Sequence, residues 1–341
     1  MLDLRPECER CHAALSTDSL EARWCAHGCT FCSTCTDGDL KGVCPNCGGE
    51  LLPRPRLSVP PRTPPACAPR RVICLGQEAA ETLVLLGLED RIVGVSRHVD
   101  RPGGGYWRDR EAAGKVARLG GFGKADAAAL AALEPDLVLL YSDVQADLAG
   151  ELARLGSSLR LFNHTTLAGT LAMVRELGRT MGVPDRGEAL ARRLEARLEL
   201  ARAHSAAPPA PRVWFEEWDQ PLVAGVPWIA ELIELAGGTP VPSAAYAGSG
   251  AKQRVVDPQD VLAAAPDVIL ASWCGKPFDQ AALEARPGWS ELPAVRSGHV
   301  HGLPGEPLLA PGPSLILEGL DLLVRCVDGA RHPSSGERGS D

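Results

Sequence analysis

Eight cysteines crowd into the first 47 positions as four close pairs, Cys8-x2-Cys11, Cys25-x3-Cys29, Cys32-x2-Cys35 and Cys44-x2-Cys47. A segment this short cannot bury enough apolar surface to fold on its own core, so its cysteines have to hold it. The amino terminus, Met1 to Cys8, offers no basic region, no apolar core and no small-residue cleavage site, and no uncharged apolar run in the chain is long enough for a bilayer. The protein is therefore expected in the cytoplasm, where thiols stay reduced and metal binding is favoured over disulfides. Eight thiolates supply two closed, tetrahedral zinc sites with no open position for catalysis. His12 and His27 lie close enough to replace a cysteine, but the thiolates already fill both sites, and the histidines are expected to be bystanders.

Beyond the cysteines the texture changes twice. Residues 51–70 hold seven prolines and read as a semi-rigid extended linker between a 1–50 module and the longer remainder of the chain. From Arg71 short apolar runs alternate with Ala- and Leu-rich helical segments, the pattern of an α/β fold with parallel sheets. Val72–Leu75, Ile92–Val95, Leu137–Tyr141 and Leu159–Phe162 read as strands of a first lobe over 71–165. Val213–Phe215, Val268–Ala271 and Val300–Leu303 read as strands of a second lobe over 211–329. Residues 166–205 are helix-compatible apart from a break near Gly182-Val-Pro184, so two lobes with a cleft between them are expected. The tail over 331–341 is polar and expected to be disordered. The formal net charge is −8 and the 35 Lys and Arg residues are scattered, which argues against nucleic acid or an anionic membrane surface as a partner. A monomer is expected.

Two resemblances sharpen this reading. The overlapping cysteine pairs resemble the cross-braced arrangement of RING-type fingers, which implies Cys8, Cys11, Cys32 and Cys35 on one zinc and Cys25, Cys29, Cys44 and Cys47 on the other. Sequential pairing would use the same eight residues. Gly28-Cys-Thr-Phe-Cys32 and Gly42-Val-Cys-Pro-Asn-Cys-Gly-Gly-Glu-Leu-Leu-Pro-Arg-Pro55 also resemble a small bacterial cysteine-rich domain family of unknown function. Arg71 to Val95, Gly120-Gly-Phe-Gly123, Leu133-Glu-Pro-Asp-Leu-Val-Leu139, Phe215-Glu-Glu-Trp218, Trp228 to Gly238 and Pro266-Asp-Val-Ile269 resemble the substrate-binding proteins of cobalamin and ferric-siderophore uptake. That resemblance spans roughly residues 70–329. It implies two Rossmann-like lobes bridged by a long helix, with a ligand sandwiched in the cleft: a corrinoid such as cobalamin, or a related iron chelate.

Open α/β sheets present their binding loops at the carboxyl ends of the strands. By that rule the first lobe offers Gln77, Glu78, His98, Ser142 to Gln145, Asn163 and His164, and the second offers Glu217, Trp218, Trp228, Trp273, Cys274 and the loop Glu306 to Leu309. A planar chelate needs flat apolar surfaces, and Trp218, Trp228 and Trp273 with Tyr106 or Phe122 fit that need, although lobe packing uses the same residue types. His98 and His164 are candidates to coordinate a cobalt or iron centre through a neutral imidazole, although a lone loop histidine is more often solvated or hydrogen-bonded.

Exported members of the resembled family carry a glutamate on each lobe that docks onto arginines of a membrane permease. Here those positions hold Ala128 and Gln259, with Asp126 and Asp260 nearby. Ligand binding without transport is the expectation. Rival readings are an enzyme with His98, His164, Glu78 or Glu217 as general base, and a ligand-gated sensor acting on a protein partner through the zinc module. Against the enzyme, the sequence has no nucleophile elbow, no HExxH and no phosphate-binding glycine loop after a strand, and Gly120-Gly-Phe-Gly123 lacks dinucleotide spacing. No catalytic residue is expected.

Overall fold

The structure, a computed structural model, describes residues 5–16, 19, 21–54, 68–121, 125–205, 210–248 and 250–331. It divides into two units, Met1–Cys67 and Ala68–Asp341, each taken by itself below. Most of the proline-rich stretch and nearly all of the polar tail lie outside the described residues.

In the first unit the cysteine pairs dictate the turns. The peptide carbonyls of Cys8 and Cys44 accept hydrogen bonds from the amides of His12 and Gly48, and each turn is closed by a bridge at the same spacing, Glu7 to Ala14 and Val43 to Glu50. Between these turns lie β1 (Ala22–Trp24), β2 (Thr30–Cys32), the short α1 (Ser33–Asp37) and β3 (Leu52–Pro53). The strands form one antiparallel sheet in the order β2-β1-β3. The core is small: Leu15, Ala22, Phe31 and Leu51, with Cys8, Cys25, Cys32 and Cys44 completing it. Arg54 is buried beside this core and donates to the carbonyls of Arg5, Leu15 and Ser16, tying the end of the module to its beginning.

The second unit begins with β4 (Val72–Cys74), α2 (Gln77–Leu85), β5 (Ile92–Ser96), α3 (Tyr106–Ala112), β6 (Ala117–Leu119), α4 (Ala127–Ala131), β7 (Leu137–Tyr141), α5 (Ala146–Arg154) and β8 (Leu159–Phe162). The five strands are parallel, in the order β6-β5-β4-β7-β8. Buried on both faces, β4 and β7 are continuous apolar runs, as the inner strands of a parallel sheet must be. Two helices follow, α6 (Leu167–Thr180), capped by the Thr166 hydroxyl on the Gly169 amide, and α7 (Pro184–Ser205). The 22 residues of α7 run about 33 Å, long enough to bridge two lobes.

The second lobe contains β9 (Arg212–Asp219), β10 (Leu222–Ala224), α8 (Pro227–Leu235), β11 (Thr239–Pro240), α9 (Pro258–Ala264), β12 (Val268–Ala271), α10 (Gln280–Glu284), α11 (Pro293–Ser297), β13 (Val300–Gly302) and α12 (Leu320–Arg331). Its sheet runs β10-β9-β12-β13, with β11 also on β9, and only β10 is antiparallel. Proline opens α8, α9 and α11 at a position where the missing amide hydrogen costs nothing. The segment 306–318 crosses back to the first lobe. Gln77 Nε2 donates to the Glu306 carbonyl at 3.0 Å, Thr170 Oγ1 to the Pro311 carbonyl at 3.1 Å, and Ser314 Oγ to Glu81 at 2.9 Å. At Gly312 an added Cβ would lie 2.8 Å from the Glu81 carboxylate and 2.9 Å from the Glu78 Cα, so only glycine allows this approach. In this unit the expected strands are all present, and the sequence reading passed over β6, β10 and β11; in the first unit it named no strand, so β1 to β3 are additions.

Candidate ligand cleft and metal centres

A cleft of about 750 Å³ opens where the strands of both lobes end. Of the residues expected there, Gln77, Glu78, His98, Ser142, Asp143, Val144, Asn163, Trp228, Trp273, Cys274, Glu306 and Leu309 line it. The two tryptophans present carbon to the cavity, because their polar ends are already satisfied inside the protein. Trp228 Nε1 donates to the Leu308 carbonyl and Trp273 Nε1 to Glu216, each at 2.9 Å. Glu216 is fully buried and also takes both guanidinium arms of Arg286, at 2.7 and 2.8 Å, so the orientation of Trp273 rests on a paired charge.

Five expectations are corrected. His164 is not on the cleft wall: its Nε2 lies 3.0 Å from the Pro311 carbonyl, the Tyr141 hydroxyl donates to the His164 carbonyl at 2.6 Å, and burial lowers the pKa of the imidazole. With its Nε2–H donated to a carbonyl across the lobes, the ring serves as a latch. Gln145 is buried and accepts from the Tyr141 amide at 2.9 Å, pinning the turn after β7. Glu217 is consumed by Arg254, at 2.7 and 3.2 Å. Trp218 lies off the cleft wall, its Nε1 donating to the Gln220 carbonyl and its ring under Lys276. Tyr106 lines a separate cavity instead. Phe122 lies outside the described residues.

The structure adds wall residues that the strand-end rule passed over. Tyr141 is the last residue of β7, and burial, with Glu78 and Asp143 nearby, pushes its hydroxyl well above the usual phenol range. Arg254, 3% exposed, comes from a single helical turn, Ala251–Arg254, and bonds both Glu217 and the Ala224 carbonyl. Lys276 pairs with Asp219 and sits 4.6 Å from the Trp218 ring centre and 4.8 Å from that of Trp273. Burial opposes ionisation of Asp219, but the Lys276 ammonium outweighs it and holds the carboxyl below the usual range. Nothing in the local sequence marks these two cations, since each earns its place through a partner far along the chain.

On the opposite wall Glu78 is 1% exposed, and its Oε1 has no hydrogen-bond partner among the described residues. Burial raises its carboxyl from the ordinary 4.5 to about 7, with Glu81 adding to the rise against the pull of backbone amides. The carboxylate occupies the space beside Gly76, where an added Cβ would lie 1.9 Å from Oε1. His98 is exposed to the cleft, and its ring nitrogens have no hydrogen-bond partner among the described residues.

In the N-terminal unit the thiols of Cys8, Cys11, Cys32 and Cys35 lie within 4.8 Å of one another, as do those of Cys25, Cys29 and Cys44, and Cys47 Sγ is 3.5 Å from Cys25 Sγ. A tetrahedron of zinc–sulfur bonds of about 2.3 Å sets sulfurs about 3.8 Å apart. Cys11 and Cys32 are at 3.6 Å, so the donor set fits such an ion. Burial opposes ionisation of Cys8 and Cys25, yet hydrogen bonds lower each to about 6, from the Cys11, Cys32 and Arg10 amides at Cys8 and from the His27 amide and Cys47 thiol at Cys25. Cys35 is pushed up to about 12, chiefly by the Cys32 thiol. His27 joins Cys25 and Cys47 in a third close group, whereas His12 belongs to none.

Residues 72–307 match the profile of the periplasmic binding protein family. The chain belongs to that family. Residues 1–57 match a second one, a protein family of unknown function, DUF1272. This binding protein is 25% identical over 246 residues to the vitamin B12-binding protein of Vibrio parahaemolyticus serotype O3:K6 (strain RIMD 2210633), covering 71% of this chain and 84% of that one. Its first 55 or so residues carry a 54% identity over 55 residues to an uncharacterized protein of Rhizobium meliloti (strain 1021), covering 16% of this chain and 66% of that protein. Among solved structures, the periplasmic heme-binding protein BhuT in complex with two hemes superposes with a TM-score of 0.63 at 26% identity, over 76% of this chain and 98% of that chain. The α/β fold with parallel sheets is that of these binding proteins, and the named relatives are binding proteins rather than enzymes.

Proposed function

We propose that this chain binds a corrinoid such as cobalamin, or a related tetrapyrrole or iron chelate, in the cleft between its lobes. The observation that carries this reading is the pairing of Trp228 and Trp273 in one cavity with both indole N–H groups turned inward, which leaves apolar surface for a large flat ligand. Gln77, Ser142 and Asn163 supply polar handles around that surface. That His98 lines the cleft while His164 Nε2 is engaged supports His98 as the histidine that reaches a bound metal. The names of the B12-binding and heme-binding relatives support the same ligand class.

The N-terminal cysteines hold two zinc ions in this reading, one on Cys8, Cys11, Cys32 and Cys35 and one on Cys25, Cys29, Cys44 and Cys47, a purely structural role. Eight unbridged thiols suit a reducing compartment, which supports a cytoplasmic protein. Both permease-docking positions support the loss of transport. Ala128 and Gln259 are exposed at the second positions of α4 and α9, each helix capped by an aspartate, Asp126 or Asp257, and neither position carries the docking charge. The role is then that of a carrier or reservoir for the chelate.

The test is an absorbance titration of the full chain with cobalamin and with heme. A saturable one-to-one spectral change with a Kd below about 1 μM is expected for at least one of them. His98→Ala should alter the spectrum of the bound metal and His164→Ala should leave its coordination bands in place. No spectral change with either compound would sink the corrinoid and tetrapyrrole reading and leave only a non-tetrapyrrole iron chelate for the cleft.

A further inference from the structure

The cavity that holds Tyr106 has a surplus of hydrogen-bond donors. It encloses about 500 Å³ beside the Gly103–Gly105 loop, and its wall carries Arg97, Arg101, Arg108 and Arg118 against two carboxylates, Asp100 and Glu306. In a chain of net charge −8, four guanidiniums around one small cavity are a local reversal of sign. Arg101 and Arg118 are largely buried, with side chains 19% and 15% exposed, and the Nε of each has no hydrogen-bond partner among the described residues. Their other contacts are an ion pair from Arg101 to Glu318, a 3.7 Å pair from Arg118 to Asp100, and a hydrogen bond from Arg118 to the Arg97 carbonyl. The guanidiniums of Arg97 and Arg108, both exposed residues, have no ion pair or hydrogen bond among the described residues.

The two buried Nε atoms are closed off from the cavity, so the donors open to a ligand are the guanidiniums of Arg97 and Arg108, which no acceptor among the described residues occupies. Arginine forks suit the oxygens of phosphate and carboxylate, which they take two at a time. The loop at the mouth is bare, since a Cβ added at Gly103 or Gly104 would meet nothing within 4 Å, and the backbone leaves room for a ligand of several heavy atoms. We propose that this pocket is a binding site for a small oxyanion with two or more negative charges, of the phosphate or carboxylate class. Glu306 lines both this pocket and the cleft, and Gln77 stands between them, its Nε2 on the Glu306 carbonyl and its Oε1 accepting the Asp100 amide. The anion is therefore either a free solute or an acidic arm of the molecule held next door.

The site does not depend on what fills the cleft, and its test is separate. Pyrophosphate titrated into the full chain by calorimetry should bind saturably with a Kd below about 1 mM and weaken with added salt. Arg97→Ala with Arg108→Ala should weaken it at least tenfold, and the corresponding double lysine variant, with charge kept and forks lost, should fall between. Absence of saturable pyrophosphate binding, or equal binding by the double alanine variant, would overturn the proposal even if the cleft takes up heme. A second arm assigns the source. Competition between pyrophosphate and heme, together with weaker binding of heme dimethyl ester, supports a pocket serving the acidic arm of a cleft ligand. Simultaneous binding of pyrophosphate and heme supports a separate solute site.

Discussion

Glu78 is a cleft residue whose charge changes near neutral pH. Its carboxyl titrates at about 7 in the folded chain against 4.5 when free, because burial disfavours the charged form. The folded state therefore holds this proton more tightly than the unfolded state does. The stabilisation is complete below pH 4.5 and is lost as the pH rises towards 7, a total of about 3 kcal/mol. Glu78→Gln removes the titration while keeping the shape. Denaturant unfolding at pH 5 and pH 8 should show a difference between those two stabilities that is larger in the wild type by about 2–3 kcal/mol, the part of the total that falls between those pH values. Equal differences would place the Glu78 charge in a better-compensated setting than its unpartnered Oε1 indicates. The strand-end rule found this residue, together with His98, Trp228 and Trp273, because loop position after a strand is written in the sequence. It misplaced His164 and Glu217 for a physical reason: whether a side chain at a strand end faces the cleft or a neighbour is decided by distant partners, here Pro311 and Arg254.

At the level of elements, the junction of α6 with α7 depends on two glycines. A Cβ at Gly178 would lie 2.7 Å from the Gly187 Cα, and one at Gly187 would lie 2.9 Å from the Gly178 Cα, so the backbones of the two helices touch where they cross. Gly178→Ala should destabilise the α/β unit by about 1–3 kcal/mol, because backbone rather than a flexible side chain has to move. Gly150→Ala in α5 is the control: its Cβ would meet only the Arg154 guanidinium at 3.8 Å, so the gain in helix propensity should leave stability unchanged or higher by up to about 1 kcal/mol. Urea unfolding followed by tryptophan fluorescence measures both, and a neutral Gly178→Ala would mean that the crossing is loose. Elements buried on both faces were the legible ones, since β4, β7 and β12 are unbroken apolar runs. The strands passed over are short and sit at sheet margins. Ala117–Leu119 has an arginine at its centre and Thr239–Pro240 has only two residues, so pairing with a neighbour makes them strands where composition does not.

For the molecule as a whole, the two units draw stability from different sources. The α/β unit has an extensive core from Val72 to Val327, whereas among the described residues the N-terminal unit buries only four apolar side chains beside its buried thiols. A core of that size cannot offset the entropy of ordering some fifty residues. If the thiols ligate zinc, binding free energy takes the place of the missing core, and removing the metal removes the fold of that unit alone. Treatment of the full chain with a strong zinc chelator should abolish amide hydrogen-exchange protection across residues 21–54 while protection in β4, β7, β9 and β12 persists. Adding back two equivalents of zinc should restore it, and cobalt in place of zinc should give the thiolate-to-metal charge-transfer absorption of a four-sulfur site. Protection that survives full metal removal would mean that Phe31, Leu15 and Leu51 suffice to hold the sheet, and the cysteines would then need another explanation. Loss of protection in both units at once would show that the stability of the α/β unit depends on the metal too, which its own core gives no reason to expect.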